Sequence, residues 1–170
     1  MDSKIDKIIF LDLDHVLTNT DIDNSSFLHL DPTKYHLSDI NMRWLDKILN
    51  ATEAKIVVAS NWRKFTPPNT SWWFNGKWYP SILEPFKELY KNDIIGMLPP
   101  ERHITKSECL ELWFEDNLWF SKTKGKYVIL EDDPKEGYQH SPIFSKHLIL
   151  TDAHFGLTEH DADKAISMLS

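Results

Sequence analysis

Short, wholly apolar runs that alternate with helical patterns constrain the fold of this chain more than any other feature. Such runs lie at residues 8–11 and, after a polar first residue, within 55–59, 126–130 and 147–150. Strands that are buried on both faces of a parallel sheet have this composition, whereas half-exposed strands alternate apolar and polar residues. A shorter run at 94–97 is a fifth candidate strand.

Helical patterns separate these runs. Ser38 or Asp39 can cap an amphipathic helix that extends to about Leu49. Thr105, followed three residues later by Glu108, is a capping box, a pattern typical of a helix start. Further helices are expected at about 85–90 and, capped by Thr158, at about 159–169. Alternating strands and helices predict an α/β fold, with a Rossmann-like, doubly wound parallel sheet and helices on both faces.

The bulk properties of the chain set further limits. Its 170 residues are the size of one domain, so we expect a single domain over 1–170. No apolar run approaches the roughly 18 residues of a membrane span, and the mixed charges at the N-terminus are unlike a secretory signal. The single cysteine, Cys109, fits a reducing compartment, so a cytoplasmic location is expected. A net charge of −7 opposes long-range attraction to nucleic acid, although a local basic patch could override it.

One segment interrupts the alternation after the second run. Residues 66–70 have loop composition, and Asn75-Gly76 follows between aromatic residues. Asn-Gly favours the type I′ turn of a two-residue hairpin, because that turn needs positive φ at both positions. We therefore predict a small aromatic β-hairpin flap over 66–80.

Asp12 and Asp14 follow the first run directly. Ligands of open parallel sheets bind outside the carboxyl ends of the strands, and residues two apart in an extended segment face the same way. Burial of two unpaired acids costs several kcal/mol, which a divalent cation or a proton would offset. One carboxylate could then attack phosphorus while the other holds a proton for the leaving oxygen. Taken alone, the pair could equally be two turn formers.

Polar residues at other strand ends favour the functional interpretation. Ser60 ends the second run, and the triplet 131–133, Glu-Asp-Asp, ends the third. Lys106 lies at a predicted helix start, where backbone N–H groups bind anions. Each residue has an ordinary structural explanation by itself. Their order and their placement at strand ends favour a phosphate site.

In this order the residues resemble the four motifs of the haloacid dehalogenase superfamily of phosphohydrolases. The first motif is similar to residues 8–17, a strand followed by D-x-D-x-[TV]-[LV]. Ser60 resembles the second, Lys106 the third and residues 128–133 the fourth. More narrowly, several segments resemble the small phosphatase-like domains associated with RNA-repair proteins: 60–63, 127–133, 148–152 and 156–158. The resemblance spans roughly residues 5–169.

The resemblance implies a Mg²⁺-dependent phosphomonoester hydrolase that forms an aspartyl-phosphate. Asp12 would be the nucleophile and Asp14 the acid/base, with Ser60, Asn61 and Lys106 binding the phosphoryl oxygens. The implied metal residues are Asp12, Asp14, Asp132 and Asp133. Oxygen ligands and a phosphate suit Mg²⁺, and the ion and the lysine would reduce the repulsion between carboxylate and phosphate.

Three positions depart from the family pattern. His15 stands where many relatives have Gly, Glu131 where the subfamily commonly has Asp, and Lys106 where it has Arg. A histidine could narrow the site, add a proton donor or be a simple loop residue. A lysine offers a point charge instead of a bidentate fork.

The substrate is inferred from the lack of room for a large cap domain and from aromatic residues near cations. An open site is typical, by resemblance, of relatives that act on macromolecular phosphates. Trp62, Trp73 and Arg63 are candidate substrate-binding residues, because stacking rings and cations bind single-stranded nucleic acid. The same rings could form a minor core under the hairpin. An RNA or DNA end phosphate is the preferred substrate. The alternatives are a phosphatase of nucleotides or small metabolites and a non-catalytic module that binds phosphate or nucleic acid.

Overall fold

The computed structural model describes residues 5–19, 36–64, 71–74, 77–122 and 124–170, with only the backbone described in 71–74 and 77–80. The strands in this part of the chain are β1 (Lys7–Leu11), β2 (Lys55–Val58), β3 (Ser71–Phe74), β4 (Lys77–Pro80), β5 (Ile94–Met97), β6 (Lys126–Glu131) and β7 (Leu148–Leu150). The α-helices are α1 (Asp39–Thr52), α2 (Leu83–Leu89), α3 (Lys106–Asp116), α4 (Leu118–Lys122) and α5 (Glu159–Leu169).

Five strands form one parallel sheet in the order β5-β2-β1-β6-β7. The first strand of the chain is therefore central, and its partners on either side come from later in the sequence. The segments that follow β1, β2 and β6 consequently meet at one edge of the sheet. The predicted α/β, Rossmann-like, doubly wound architecture is confirmed.

The central strand packs on both of its faces, which explains its unbroken apolar sequence. Ile9 and Leu11 belong to one core cluster, together with buried residues of α1, α2 and α5. Ile8 and Phe10 belong to a second cluster with buried residues of α3, and the Phe10 ring meets the Trp113 ring edge-on at 5.0 Å. Complete burial of each such side chain contributes about 1.5–3 kcal/mol. Helices on both faces are thus required to cover β1.

The helix starts follow the predicted caps. The Ser38 side chain accepts a hydrogen bond from the N–H of Asn41 and begins α1, which continues beyond the predicted end to Thr52. Thr105 and Glu108 form the predicted reciprocal capping box of α3. The last helix, α5, has the predicted bounds. The second helix begins two residues before Pro85, because proline is tolerated in a first turn whose N–H groups have no partner within the helix.

The predicted hairpin is present as β3 and β4, which pair antiparallel with Trp73 opposite Trp78. Its turn, Asn75-Gly76, and the loop 65–70 lie outside the described residues, as do the side chains of both strands. The described residues contain no large cap domain, as expected. No helix in this part of the chain is both long and apolar enough to cross a membrane.

A buried asparagine holds the loop that follows β7. The Asn41 side-chain nitrogen donates to the carbonyl oxygens of Phe155 and Leu157 at 2.7 and 2.8 Å. Gly156 lies between them with φ +65, and a Cβ there would come within 2.7 Å of the same nitrogen. Because Leu157 also donates its N–H to the carbonyl of Val16, this loop is fixed beside the segment that follows β1.

Candidate active site at the carboxyl ends of the strands

The carboxyl ends of β1, β2, β6 and β7 and the start of α3 enclose a cleft of about 530 Å³. This edge is where an open parallel sheet binds its ligands. The lining residues are Asp12, Asp14, His15, Asn61, Trp62, Lys106, Asp132, Asp133, Pro134, Glu136 and Ala153. Strand ends that are far apart in sequence therefore contribute to one site.

Asp12 forms a buried ion pair with Lys106. The Lys106 Nζ lies 2.9 Å from Asp12 Oδ2 and 2.8 Å from Glu131 Oε2, and all three side chains are buried. Burial would raise the pKa of Asp12, but Lys106 and neighbouring hydrogen bonds hold it below its usual value. Burial would likewise lower the pKa of Lys106, but the two carboxylates raise it. An ionised Asp12 next to a charged lysine has the protonation state of a nucleophile.

The pKa of Asp14 is shifted in the opposite direction to that of Asp12, although the two residues are only two positions apart. Its carboxylate accepts a 3.0 Å hydrogen bond from the Trp62 indole nitrogen. Burial, and then the negative charge of Asp12, raise the pKa of Asp14 to about 7, against the hydrogen bonds from Trp62 and Ser60. Two neighbouring carboxyl groups whose pKa values are pushed apart are the arrangement expected of a base and an acid.

Three carboxyl groups converge closely enough to hold a metal ion. Asp12, Glu131 and Asp132 each offer an oxygen within 4.8 Å of the other two. Burial, followed by the charge of Asp12, raises the pKa of Asp132 to about 7 and that of Glu131 well above its usual value. The three carboxyl groups together can carry more negative charge than the single positive charge of Lys106 offsets. The site could hold a divalent cation, for which oxygen donors and excess negative charge are suited.

The predicted metal residues are only partly represented in this group. Asp12 and Asp132 belong to it, whereas Asp14 and Asp133 do not. The Asp133 side chain accepts from the N–H of Lys135 at 2.8 Å and caps the short turn Pro134–Glu136.

Glu131 is hydrogen-bonded at both of its oxygens. Oε2 accepts from Lys106 Nζ, and Oε1 accepts from the N–H groups of Asp132 and Asp133 at 3.1 and 3.2 Å. These contacts fix both the lysine and the turn that carries the next two acids.

Ser60 and Asn61 follow β2, and of the two only Asn61 is among the described residues that line the cleft. Ser60 is fully buried, and its hydroxyl oxygen accepts from the N–H of Trp62 at 3.4 Å. Asn61 lines the cleft, and its side-chain nitrogen donates to Glu136 at 3.2 Å.

The predicted substrate-binding residues are placed differently from one another. Trp62 lines the cleft, but it is buried and its indole N–H donates to Asp14. The Arg63 guanidinium is also buried, does not line the cleft, and donates to the carbonyl oxygens of Ala59 and Ser60 at 2.9 Å. The side chain of Trp73 lies outside the described residues.

His15 has a backbone conformation that glycine would adopt more readily. His15 has φ 55, in the left-handed region that favours glycine. Its N–H donates to the Thr18 hydroxyl, and its carbonyl accepts from the Thr151 hydroxyl at 3.0 Å, so the conformation is held from both sides. Burial lowers the pKa of His15 despite the nearby Asp12.

Glu136 is a cleft residue that the sequence gives no reason to single out. Its Oε2 accepts from the backbone N–H of Lys106 at 2.9 Å, while Oε1 accepts from Asn61. The segment Pro134-Lys135-Glu136-Gly137 has turn composition and matches no motif. Only the tertiary fold brings this carboxylate to the cleft.

Comparison with known families gives one match. A family model described as "HAD domain in Swiss Army Knife RNA repair proteins" matches residues 8–162, a range that contains every residue lining the cleft. A search of curated proteins and a search of solved structures found no match. The resemblance predicted from the sequence is confirmed.

Proposed function

Because this chain belongs to the haloacid dehalogenase (HAD) domains of Swiss Army Knife RNA repair proteins, a family whose members are generally hydrolases, we propose that it is a Mg²⁺-dependent phosphomonoesterase. The observation that carries the proposal is the ion pair of Asp12 with Lys106, 2.9 Å apart, inside a cleft that also holds Asp14. A buried, ionised carboxylate next to a cation and a second carboxyl group is suited to nucleophilic attack on phosphorus.

The proposed reaction has two steps. An oxygen of Asp12 attacks phosphorus, the bond to the ester oxygen breaks, and Asp14 gives its proton to that oxygen, which leaves as an alcohol. Asp14 then accepts a proton from a water molecule, whose oxygen attacks the aspartyl-phosphate and releases inorganic phosphate and Asp12. The raised pKa of Asp14 supports this exchange, because both protonation states are accessible near neutral pH.

Lys106, Ser60 and Asn61 are proposed to hold the phosphoryl oxygens. Lys106 already faces the attacking carboxylate, so a transferring phosphoryl group at Asp12 would lie near its ammonium. Preorganised donors of this kind stabilise charge that develops in the transition state. Arg63 would contribute indirectly, by fixing the carbonyl of Ser60.

The metal is proposed to be Mg²⁺. Asp12 and Asp132 would hold it, with further oxygens from Asp14 and Asp133, while Glu131 keeps Lys106 in place. When bound, the ion would neutralise part of the negative charge that the carboxylates and the phosphate bring together.

The proposed substrate is a polynucleotide end phosphate. The family is associated with RNA repair, and the cleft has no large cap domain over it among the described residues. The aromatic hairpin, including Trp73, is proposed to contact the nucleic acid.

The test is the Mg²⁺-dependent release of phosphate from phosphorylated oligonucleotides. Asp12→Asn should abolish release, whereas Asp116→Asn, an exposed change at the far end of α3, should leave it unchanged. Full activity of Asp12→Asn would overturn the nucleophile assignment. A higher kcat/KM for a mononucleotide than for the oligonucleotide would instead overturn the substrate.

A further inference from the structure

Glu136 is a carboxylate held rigidly inside the cleft. Its two oxygens accept from different elements, one from the Asn61 side chain at 3.2 Å and the other from the N–H of Lys106 at 2.9 Å. The first contact reaches the loop after β2, and the second reaches the first turn of α3, whose dipole favours a negative charge. Glu136 therefore has a defined position relative to Lys106 and, through it, to Asp12.

A carboxylate at this place works against the binding of a phosphate. The cleft already contains Asp12, Asp14 and Asp132, and a further acidic side chain adds repulsion. Carboxylates are acceptors only, so Glu136 can favour a ligand only if that ligand brings a hydrogen-bond donor. Among the described residues, each of its oxygens accepts one hydrogen bond, and a second lone pair can accept from another donor.

The donor must belong to the phosphate's own surroundings, because Glu136 lines the same cleft of about 530 Å³ as Asp12, where the phosphate would bind. In a nucleic-acid end, the nearest donor to a phosphate on the 2′ or 3′ oxygen is the neighbouring ribose hydroxyl. A 2′-hydroxyl is also what allows a protein to distinguish RNA from DNA at a given position.

We propose that Glu136 is a specificity-determining residue that accepts a hydrogen bond from the ribose hydroxyl next to a 2′- or 3′-phosphate. The inference rests on the proposed phosphomonoesterase function and narrows its substrate to RNA ends whose phosphate has a free neighbouring hydroxyl. DNA ends and 5′-phosphates lack that hydroxyl beside the phosphate, and they meet the carboxylate without compensation.

The experiment compares two 3′-phosphorylated oligoribonucleotides that differ only at the terminal 2′ position, hydroxyl or hydrogen. The wild type should hydrolyse the hydroxyl form with a kcat/KM about 10-fold higher or more, the value of a hydrogen bond to a charged group. Glu136→Ala should reduce this ratio to near one, mainly through slower hydrolysis of the hydroxyl form. Glu136→Gln keeps a neutral acceptor and should give an intermediate ratio. Glu115→Gln, an exposed change at the far end of α3, should keep the wild-type ratio.

The ratio of the two kcat/KM values distinguishes a loss of specificity from a general structural defect, because both substrates are measured with the same variant. If Glu136 only joins Asn61 to α3, its variants will slow both substrates equally and keep the ratio, which overturns the inference. The inference is also overturned if the wild type hydrolyses both substrates equally well, or if it hydrolyses only 5′-phosphates. Either result leaves the proposed phosphomonoesterase function standing. Absence of Asp12-dependent hydrolysis of every phosphorylated oligonucleotide would instead refute the proposed function itself.

Discussion

Two buried cations, Lys106 at the start of α3 and Arg63 in the short helical turn after β2, differ in the groups that they contact. Lys106 is 2% exposed and contacts the carboxylates of Asp12 and Glu131. Arg63 is 6% exposed and donates to backbone carbonyls and, at 3.5 Å, to the sulfur of Cys109. Both were candidate ligand-binding residues from the sequence, yet their surroundings differ in charge.

The difference indicates that Lys106 is suited to take part in the reaction, whereas Arg63 is suited to stabilise the fold. The partners of Lys106 are carboxyl groups, and one of them, Asp12, would change its bonding during phosphoryl transfer, so the interactions of Lys106 would change with it. The partners of Arg63 are neutral groups of the fold, whose hydrogen bonds stay the same throughout a reaction. Burial alone therefore does not distinguish the two roles, whereas the charge of the partners does.

Lys106→Met should have the largest effect on activity. It leaves Asp12 and Glu131 buried without their cation and removes a charge from the transferring phosphoryl group. We expect kcat to fall by about 10³-fold or more, since loss of one preorganised donor already costs about 10²–10³. The loss of one partner of a buried pair should also destabilise the fold by about 3–5 kcal/mol. Phosphate release and urea unfolding measure the two effects.

Lys106→Arg is the matched control, because it keeps the charge and restores the residue expected in the subfamily. Its activity should lie well above that of Lys106→Met. Equal activity of Lys106→Met and the wild type would show that Lys106 has no part in the reaction, and its proposed difference from Arg63 would be wrong.

Arg63→Met should affect stability more than chemistry. It removes the side-chain donor of the Ala59 and Pro99 carbonyls, each at a cost of about 1–3 kcal/mol, so we expect a loss of at least about 2 kcal/mol. The Ser60 carbonyl loses the same donor but keeps the backbone N–H of residue 63. The kcat of the folded fraction should stay within about 10-fold of the wild type, as expected for a residue outside the reacting atoms. Urea unfolding and steady-state kinetics below the unfolding midpoint check this result. A variant of native stability that has lost its affinity for oligonucleotide would instead place Arg63 with the substrate.

Trp62→Phe tests a contact between these two regions, because Trp62 precedes Arg63 and donates to Asp14 at 3.0 Å. An aromatic ring is kept while the donor is lost, and the smaller phenyl leaves part of the buried indole volume empty, so some loss of stability accompanies the change. We expect kcat to fall by about 10-fold, since one hydrogen bond to a charged group contributes about 1.5–3 kcal/mol. The same change should leave KM for a phosphorylated oligonucleotide nearly unaffected. A rise in KM with unchanged kcat would show that the ring contacts substrate instead of positioning Asp14.

Features that depend on residues close together in the sequence could be predicted from it. The strands at 8–11 and 126–130 and the capping box at Thr105 depend on neighbouring residues, and the structure has them where they were expected. The convergence of strand ends follows from parallel pairing, which brings Asp12 and Asp132 together.

Contacts between distant residues could not be predicted in the same way. The hydrogen bond from Trp62 to Asp14 spans 48 positions, and the one from Asn61 to Glu136 spans 75. A tryptophan near cations suggests stacking, and only the fold shows that its N–H is bonded to a carboxylate. A glutamate in a turn suggests solvent exposure, and only the fold brings it into the cleft.

His15→Gly should have the smallest effect and extends the comparison to a third buried residue that can carry a positive charge. Burial lowers the pKa of His15, so its imidazole is neutral near pH 7, unlike Lys106 and Arg63. Its φ of 55 favours glycine, which offsets the lost packing of the ring, and we expect stability to change by less than about 1 kcal/mol. The kcat should stay within about 2-fold of the wild type, because the hydrogen bonds to Thr18 and Thr151 are made by the backbone of residue 15, which glycine keeps. Thermal unfolding and phosphate release test this, and a loss of kcat at native stability would place His15 with Lys106 among the residues that act on the phosphate.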